Sequence, residues 1–481
     1  MIRGAAVFVF VALVLYAGHA PYLTLPYFWD EMGQFVPAAL DIFHDAAWVP
    51  HSTVPNAHPP GVMAYLALVW KIFGYSIPAT RAAMLLLAGI ALFATWRLSL
   101  RLSPAWTFAP VILLLLDPLF YTQSMMAQLD MPALVFTLLA LLLFFEDRHL
   151  LAAVACVALV LAKETGAILP LILGGALWLD GPRRKEALYY ALPFPILAAW
   201  FFVLWRSTGH LFGDAGFTHY NLGYALNPVR ASLSLLRRFY YLFLADFRWI
   251  GSFAILLALR RTKIFATREW KIAWLFIGAH TILVSVLGGA ELERYLLPVI
   301  PLVYIAMVAA WSTVPAFARV LAFASVSAGL LFALFTNPPF PFPYENNLAM
   351  VDFVRLHRDA AQFLEHSYPS DTIYSAWPFT QALRDPVFGY VDKQLAVSET
   401  GDLRRSTLQA VNPQAVKVLV LYSRTWEPDW GVLHWPVVEQ FLARYYEYGR
   451  QMNADEVRQH FGLARVRRWE RGGQWIEVYA R

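Results

Sequence analysis

Long apolar stretches recur along the first two thirds of the chain, and short segments that carry most of the charged residues separate them. Crossing the ~30 Å hydrocarbon core of a membrane takes about 20 apolar residues in a helix. Eleven stretches span such a core or nearly span it, which predicts a mainly α, polytopic bundle of about eleven transmembrane helices. The predicted spans are residues 5–20, 82–100, 105–120, 133–145, 150–161, 166–179, 187–205, 239–259, 270–287, 295–311 and 317–335.

Two segments have a second interpretation. Residues 5–20, with Arg3 before them and the small Gly18 and Ala20 near their end, also resemble a secretory signal peptide. We favour an uncleaved first helix because apolar spans continue throughout the chain. The segment "LAKETGAIL" (161–169) is either a turn between two short helices or a polar break in one long helix.

Basic residues between the spans predict the orientation of the chain. They cluster in "RLSLRL", "EDRH", "GPRRKEA" and "RRTKIFATREWK", which all fall on one side under this count of spans. Loops rich in Lys and Arg face the cytoplasm. We therefore expect a multi-pass protein of the cell membrane (plasma or inner membrane) with a cytoplasmic N-terminus, and with residues 21–80 and everything after 336 outside the cytoplasm.

The first external segment, residues 21–80, is too apolar for a simple linker. "VPAALDIF" (36–43) has apolar residues at helical spacing with proline in the first turn, and "PPGVMAYLALVWKIFG" (59–74) is a second apolar helix with a Pro–Pro start. We interpret both as helices that lie in the membrane interface within an external catalytic loop. A crossing by the second would reverse every later loop and violate the charge rule.

The composition changes at residue 337, where the apolar spans stop. We assign residues 1–336 to a transmembrane domain, the proline-rich 337–350 to a linker, and 351–481 to an extracytoplasmic soluble α/β domain. Helices are predicted in "HRDAAQFLEHS" and "WPVVEQFLARYYEY", strands in "DTIYSAW" and "VKVLVLYS", and a final hairpin that turns at Gly472–Gly473. The sequence has no glycine-rich phosphate loop, so nucleotide hydrolysis has no support.

Composition supports the membrane assignment. Hydrophobic residues make up 59% of the 481 residues and charged residues only 15%, well below the usual share in soluble domains. The net charge of +5 comes from the basic cytoplasmic loops, so we expect no nucleic-acid partner. The single cysteine, Cys156, excludes an internal disulfide.

Ionisable residues stand close to the apolar edge at the outward-facing ends of the spans. Charges near the bilayer are costly, so a set that converges on one side predicts a reactive or binding cavity. Taken singly, each could instead be a headgroup anchor or a helix cap. The set comprises Asp30, Glu31, His51, His58, Asp117, Asp130, Lys163, Glu164, Arg206, Arg237, Arg238, Glu291, Glu293 and Arg294.

Five segments, in this order, carry a family resemblance: "WDEMGQFVPAALDI", "AHPPGVMAYLALVWKIFG", "DPLFYTQSMMAQLDMPALVFTLLALLLFF", "LAKETGAILPLIL" and "ERYLLPVIPLV". Over residues 1–336 the chain resembles the integral membrane glycosyltransferases of the C-type (GT-C) fold. Within these it is similar to the protein O-mannosyltransferase and aminoarabinose lipid A transferase group. The soluble tail carries no motif of its own.

The resemblance implies transfer of a sugar from a polyprenyl-phosphate donor to a lipid, glycan or protein acceptor on the outer face. The family's catalytic carboxylate falls on Asp30, with Glu31 as its neighbour, and its second acidic position falls on Asp130. Its basic positions fall on Lys163 and Arg294. His58 stands in "HPP" as in mannosyltransferases, where aminoarabinose enzymes usually have lysine, and this favours an ordinary sugar and a hydroxyl acceptor.

The chemistry of the residues agrees with that reading. Displacing a lipid phosphate from an anomeric carbon requires a base for the acceptor's proton, and Asp30 is our candidate. The leaving phosphate requires cations, for which Lys163, Arg237, Arg238 and Arg294 are candidates. Alternatives stay open: Glu31 could cap the following helix, and the Arg237–Arg238 pair could anchor a span to headgroups.

We expect no cofactor. Asp41, His44, Asp45, His51 and His58 could assemble a divalent metal site, although their spacing matches no metal motif. A different function, a secondary transporter or flippase of a lipid-linked or polar substrate, would favour repeated halves and charges at the bilayer midplane, and the sequence shows neither clearly.

Overall fold

The computed structural model describes residues 2–428 and 430–481, and it is mainly helical with one small sheet. The chain divides into two compact units. One comprises Met1–Leu23 and Val36–Thr336, and the other comprises Thr24–Phe35 and Asn337–Arg481. The second unit is therefore built from two separate parts of the sequence.

In its described residues the first unit consists of helices and connecting loops, without a β-strand. Its α-helices are α1 (Ile2–His19), α2 (Val36–Asp45), α3 (Gly61–Phe73), α4 (Ile77–Leu102), α5 (Ala109–Leu116), α6 (Pro118–Gln123), α7 (Asp130–Phe145), α8 (His149–Ala162), α9 (Ile168–Leu179), α10 (Arg184–Ala187), α11 (Pro193–Thr208), α12 (Ala215–Thr218), α13 (Pro228–Phe243), α14 (Arg248–Arg261), α15 (Arg268–Val286), α16 (Ile300–Trp311) and α17 (Ala316–Phe335). Helices α4, α7 and α16 form the centre of the unit, and nearly every residue of α16 is buried.

Five helical stretches are long and apolar enough to cross a membrane, and the bent pair α13–α14 would make a sixth. Another five apolar helices have 10–17 residues. These lengths agree with a polytopic membrane protein, but they do not confirm the predicted count of about eleven spans. The two helices predicted in the first external segment are present as α2 and α3.

The prediction of one continuous span over 239–259 is wrong. Helices α13 and α14 meet at 88° across a break that contains Asp246 and Phe247, both with positive φ. The apolar residues run across the break, so their pattern gave no sign of it. Helix α13 itself buries polar residues: Arg230, Ser234 and Arg238 are inside, while apolar side chains of the same helix are exposed. A helix of this kind faces a polar interior and presents its apolar side outward.

One other predicted span is interrupted, and the segment between two predicted spans is resolved as a turn. Residues 105–120 break at Asp117, whose carboxylate caps α6 by accepting the Phe120 N–H at 3.0 Å. In "LAKETGAIL" the chain leaves α8 at Lys163, which is extended, and passes through a 3₁₀ turn (Glu164–Ala167) into α9. The turn interpretation of this segment is therefore the one the structure adopts.

The second unit is an α/β domain with a five-stranded sheet in the order β2-β1-β3-β5-β4. The strands are β1 (Ile373–Ser375), β2 (Val397–Glu399), β3 (Val418–Tyr422), β4 (Ala464–Arg471) and β5 (Gln474–Ala480), and the helices are α18 (Ala349–Ser367), α19 (Phe379–Arg384), α20 (Arg405–Gln409), α21 (Pro436–Tyr446) and α22 (Ala454–Phe461). Strands β1, β2 and β3 pair in parallel, and β5 runs antiparallel to β3 and β4.

Most predicted elements of this unit are present. The hairpin of β4 and β5 turns at Gly472–Gly473 as predicted, and both of these glycines have positive φ. Strand β2 and the helices α19, α20 and α22 were not predicted. Strand β2 has only three residues, too few to show an alternating pattern.

Residues 24–35 are held in the second unit by aromatic packing. The Trp29 ring lies 5.6 Å from that of Phe353 and 5.4 Å from that of Trp377. The Tyr390 hydroxyl donates to the Tyr27 carbonyl at 2.7 Å. A Cβ on Gly33 would lie 2.3 Å from the Trp377 ring, so only glycine fits there. The domain assignment made from the sequence had placed this segment with the transmembrane part.

Candidate active site

Three cationic side chains of the first unit surround the ring of Tyr295. Lys163 Nζ lies 3.9 Å from the ring centroid, and the guanidinium carbons of Arg238 and Arg294 each lie 5.6 Å from it. All three cations are at most 7% exposed. We call these four residues the Tyr295 cluster. It brings together three predicted site residues that come from widely separated parts of the sequence.

Asp130 lies between two of the cations. Lys163 Nζ is 2.5 Å from Asp130 Oδ1, and Arg294 Nε is 3.3 Å from Asp130 Oδ2. The extended backbone of Lys163, between α8 and the 3₁₀ turn, places the ammonium opposite the first residue of α7. One carboxylate thus lies between two of the three buried cations.

Arg238 has no carboxylate within 4.0 Å among residues 2–428 and 430–481, although it is 1% exposed. Its Nε donates to the Ser234 hydroxyl at 3.3 Å and its Nη1 donates to the Leu292 carbonyl at 3.0 Å. Its Nη2 is buried without a hydrogen-bond partner in the described chain. Glu293 and Glu291 act on its charge only from beyond ion-pair distance, and a buried cation without a close partner is costly, so the position is suited to an anionic ligand.

Two further arginines of α13 pair with acids of the loop before Tyr295. Arg237 forms an ion pair with Glu293, and Arg230 Nη2 lies 3.4 Å from Glu291 Oε1. Glu291 has φ +49 and is mostly buried, and this burial raises the pKa of its carboxyl although Arg230 opposes the shift. The two pairs fix the loop that carries Arg294 against α13.

His58 is placed by a separate contact, with Glu164. Its Nδ1 lies 2.8 Å from Glu164 Oε2, and both side chains are about one fifth exposed. Helix α3 begins at Gly61, where a Cβ would lie 2.5 Å from the Leu161 carbonyl oxygen. This close approach packs the "HPP" segment against the end of α8, next to Lys163 in the sequence.

Asp30 and Glu31 belong to the second unit. Glu31 is fully buried, and its carboxylate accepts the Phe28 N–H at 2.8 Å, which is a contact of the capping kind. Asp30 is partly buried at the start of the helical segment that follows Trp29, a residue with φ +41. The catalytic role predicted for Asp30 therefore stays a prediction.

Part of the predicted metal set also meets. The ligand atoms of Asp41, Asp45 and His51 lie within 4.8 Å of one another, whereas His44 and His58 are not in this group. Asp41 Oδ2 already accepts the backbone N–H groups of His51 and Ser52, so local hydrogen bonding accounts for the arrangement.

Several residues around the Tyr295 cluster were missed from the sequence. Arg230 could have been found, because it lies eight residues before Arg238 on one stripe of α13. Tyr295 lies inside the "ERYLLP" segment, but no sequence pattern predicts that three cations contact its ring. His280 is a lone histidine in an apolar segment, a pattern that usually indicates a buried structural residue. It lines a narrow pocket together with Asp130 and Lys163.

Comparison with known proteins identifies solved structures that share the fold of this chain. No family model and no curated protein sequence matches the chain. Among solved structures, ArnT from Cupriavidus metallidurans bound to undecaprenyl phosphate matches with a TM-score of 0.54 and 13% identity, over 98% of this chain and 97% of that chain. Archaeal oligosaccharyltransferase AglB from Archaeoglobus fulgidus, in complex with an inhibitory peptide and a dolichol-phosphate, matches with a TM-score of 0.53 and 12% identity, over 87% and 69%.

At these identities the similarity establishes the fold alone. Both of these neighbours are membrane glycosyltransferases of the GT-C fold. The predicted resemblance to that fold is confirmed. The match with ArnT extends over the C-terminal unit, beyond the residues 1–336 on which the sequence motifs lie.

Proposed function

We propose that the protein transfers a sugar from a polyprenyl-phosphate donor to a hydroxyl of a lipid, glycan or protein acceptor on the extracytoplasmic face of the cell membrane. The observation that carries the proposal is the Tyr295 cluster, with its three buried cations and the unpartnered Nη2 of Arg238. The fold supports it, since two proteins that share it are recorded with undecaprenyl phosphate and with a dolichol-phosphate.

The charge of the cluster suits the reaction. The acceptor oxygen attacks the anomeric carbon, the bond from that carbon to the phosphate oxygen breaks, and the configuration inverts. The phosphate has one negative charge in the donor and gains a second as it leaves on the lipid. Buried cations that are held in place before the reaction stabilise this developing charge. We assign that role to Lys163, Arg238 and Arg294, with Asp130 orienting the first and the third.

The acceptor's proton needs a base, and we assign this role to Asp30, with Glu31 as its neighbour. General base catalysis by a positioned carboxylate typically contributes about 10²–10⁴-fold to the rate. Arg237 contributes through its pair with Glu293, and His58 contributes to donor binding beside Lys163. The proposal supplies charge neutralisation entirely from side chains, and it requires no cofactor.

The test is to identify the lipid that the protein holds. The full chain is purified from membranes into nanodiscs, and lipids that copurify are analysed by mass spectrometry. A polyprenyl phosphate, free or glycosylated, is expected in the wild type and depleted at least about tenfold in Arg238→Gln, since a hydrogen bond to a charged group is lost. Arg260→Gln, at an exposed arginine of α14, is the control.

Two results would overturn the proposal. One is the absence of any polyprenyl phosphate from the wild-type preparation, together with no binding of added undecaprenyl phosphate. The other is movement of a lipid-linked sugar across proteoliposomes without any covalent product, which would establish a flippase.

A further inference from the structure

One ring nitrogen of His280, Nδ1, can accept a hydrogen bond but has no donor in the described chain. Its Nε2 lies 2.8 Å from the Tyr295 carbonyl oxygen, and because a carbonyl only accepts, Nε2 carries the hydrogen. In the neutral ring this leaves a lone pair on Nδ1. Nδ1 is buried and has no hydrogen-bond partner in residues 2–428 and 430–481, and the side chain is 3% exposed.

The ring lines the pocket beside the Tyr295 cluster. Asp130 and Lys163 line the same pocket, and the rest of its wall includes Thr137, Thr165 and apolar side chains. A second positive charge beside Lys163 is unfavourable, which favours the neutral ring and keeps Nδ1 an acceptor. The open space in the pocket is about that of one water molecule, so it admits a single small group and not a whole sugar ring.

The chemistry of the pocket defines what would enter it. Lys163 supplies a cation for an anionic oxygen, and His280 supplies an acceptor for a hydroxyl. Both contact the same residue: Lys163 Nζ is over the Tyr295 ring and His280 is bonded to the Tyr295 carbonyl. An anionic oxygen alone would not satisfy Nδ1, because two acceptors do not bond. A ligand with a hydroxyl close to its phosphate would satisfy both groups.

We propose that His280 is a specificity-determining residue whose Nδ1 accepts a hydrogen bond from the 2-hydroxyl of the donor sugar. The 2-hydroxyl is the hydroxyl next to the anomeric carbon, and hence to the phosphate. This inference rests on the proposed function and adds the chemical class of its donor: a glycosyl phosphate lipid with a free 2-hydroxyl. A buried site built to bind a hydroxyl discriminates against an analogue that lacks it.

Two substitutions separate this role from a structural one. In His280→Gln the amide nitrogen reaches the position of Nε2 and can still donate to the Tyr295 carbonyl, but the acceptor at Nδ1 is lost. In His280→Asn the amide oxygen takes the position of Nδ1, but the bond to Tyr295 is lost. A specificity role predicts that Asn substitutes for His280, whereas a structural role predicts that Gln does.

The experiment measures binding to the full-length protein in nanodiscs. The probes are undecaprenyl phosphate, undecaprenyl-phosphate-linked hexoses and pentoses, and the 2-deoxy form of whichever sugar binds best. In the wild type the 2-deoxy form is expected to bind about tenfold more weakly than its parent. His280→Gln should abolish that difference and His280→Asn should retain it, while both bind undecaprenyl phosphate within about twofold of wild type.

Three results would overturn the inference and leave the proposed function standing: equal binding of parent and 2-deoxy donors by the wild type, retained discrimination in His280→Gln with loss in His280→Asn, or binding of undecaprenyl phosphate with no preference for any glycosylated form. Failure of the wild type to bind even undecaprenyl phosphate would instead remove both proposals.

Discussion

Arg248 and Asp117, which are far apart in the sequence, form a buried ion pair in which Nη2 lies 2.6 Å from Oδ2. The Tyr304 hydroxyl donates to the same carboxylate oxygen at 2.6 Å, and Arg248 Nη1 also bonds Asp246 at 2.8 Å. The network joins the break before α6, the break between α13 and α14, and the central helix α16. It therefore holds both interruptions in the first unit.

Breaking this pair should destabilise the protein strongly. Asp117→Asn leaves the buried Arg248 charge with Asp246 as its one remaining close carboxylate, and because removing one member of a buried pair typically costs about 3–5 kcal/mol, we expect a loss of up to that size. We expect a lower unfolding temperature in detergent, measured by tryptophan fluorescence. Asp180→Asn is the matched control, since Asp180 pairs with Arg268 at 3.0 Å in a half-exposed position and should change stability by less than about 1 kcal/mol. Equal stability of the two variants would contradict the role of the network.

We expect substitution of Arg237 to affect phosphate binding through its partner Glu293, and not through direct contact as at Arg238. Glu293 is 4% exposed, so Arg237→Gln leaves a buried negative charge close to the proposed phosphate site. We expect this variant to bind undecaprenyl phosphate about tenfold more weakly, and the double variant Arg237→Gln, Glu293→Gln to recover most of the loss. No recovery in the double variant would show that Arg237 itself contacts the phosphate.

Asp30 and Glu31 should behave differently although they are neighbours. Asp30→Asn should lower transfer by about 10²–10⁴-fold with little change in unfolding temperature, because it removes a base and keeps the shape. Glu31→Ala should lower stability by about 1–3 kcal/mol, because it leaves the Phe28 N–H without its acceptor. Turnover and thermal unfolding of each purified variant would be compared. Full turnover by Asp30→Asn would end the catalytic assignment.

The second unit should lose stability in acid through His357. Burial lowers the pKa of this histidine to about 3, while its Nδ1–H donates to the Phe353 carbonyl at 2.7 Å. The unfolded chain, with a pKa of about 6.5, binds a proton below that pH and the native state does not. Stability therefore falls as pH decreases from about 6.5 toward 3, by about 2 kcal/mol at pH 5.

Hydrogen exchange of the full chain at pH 7 and pH 5 would measure this loss, with corrections for the intrinsic exchange rate. His357→Phe should remove most of the acid sensitivity in β1, β3 and α18. His366→Phe, at an exposed position of the same helix, should leave it unchanged. Equal sensitivity in both variants would assign the effect to another group.

The sequence predicted elements well where a pattern is local. The hairpin at Gly472–Gly473 and the helices α2 and α3 follow from spacing, proline and glycine. The break between α13 and α14 could not be predicted, because apolar residues continue through 239–259 and their pattern does not indicate the positive φ of Asp246 and Phe247. The buried face of α13 is set by Glu291 and Glu293, which lie more than fifty residues later in the chain.

Among the site residues, motifs identified Asp130, Lys163 and Arg294 without indicating how they meet. The ring of Tyr295 and the unpartnered nitrogen of His280 are properties of the folded chain. A tyrosine next to an arginine and a histidine in an apolar run carry no signal of that kind, because cation–π geometry and hydrogen-bond satisfaction depend on residues far away in sequence. Strand β2 was missed for a simpler reason, its three-residue length.

The membership of residues 24–35 in the second unit has a consequence for biosynthesis. Trp29 and Gly33 pack against Phe353 and Trp377, which are synthesised more than three hundred residues later, so the segment cannot pack when it is made. During that interval the segment lacks the aromatic surface against which it packs. In a chain truncated at 336 the segment would never gain this surface. Loss of activity on truncation could then result from an unassembled Asp30 segment as well as from any separate function of residues 337–481.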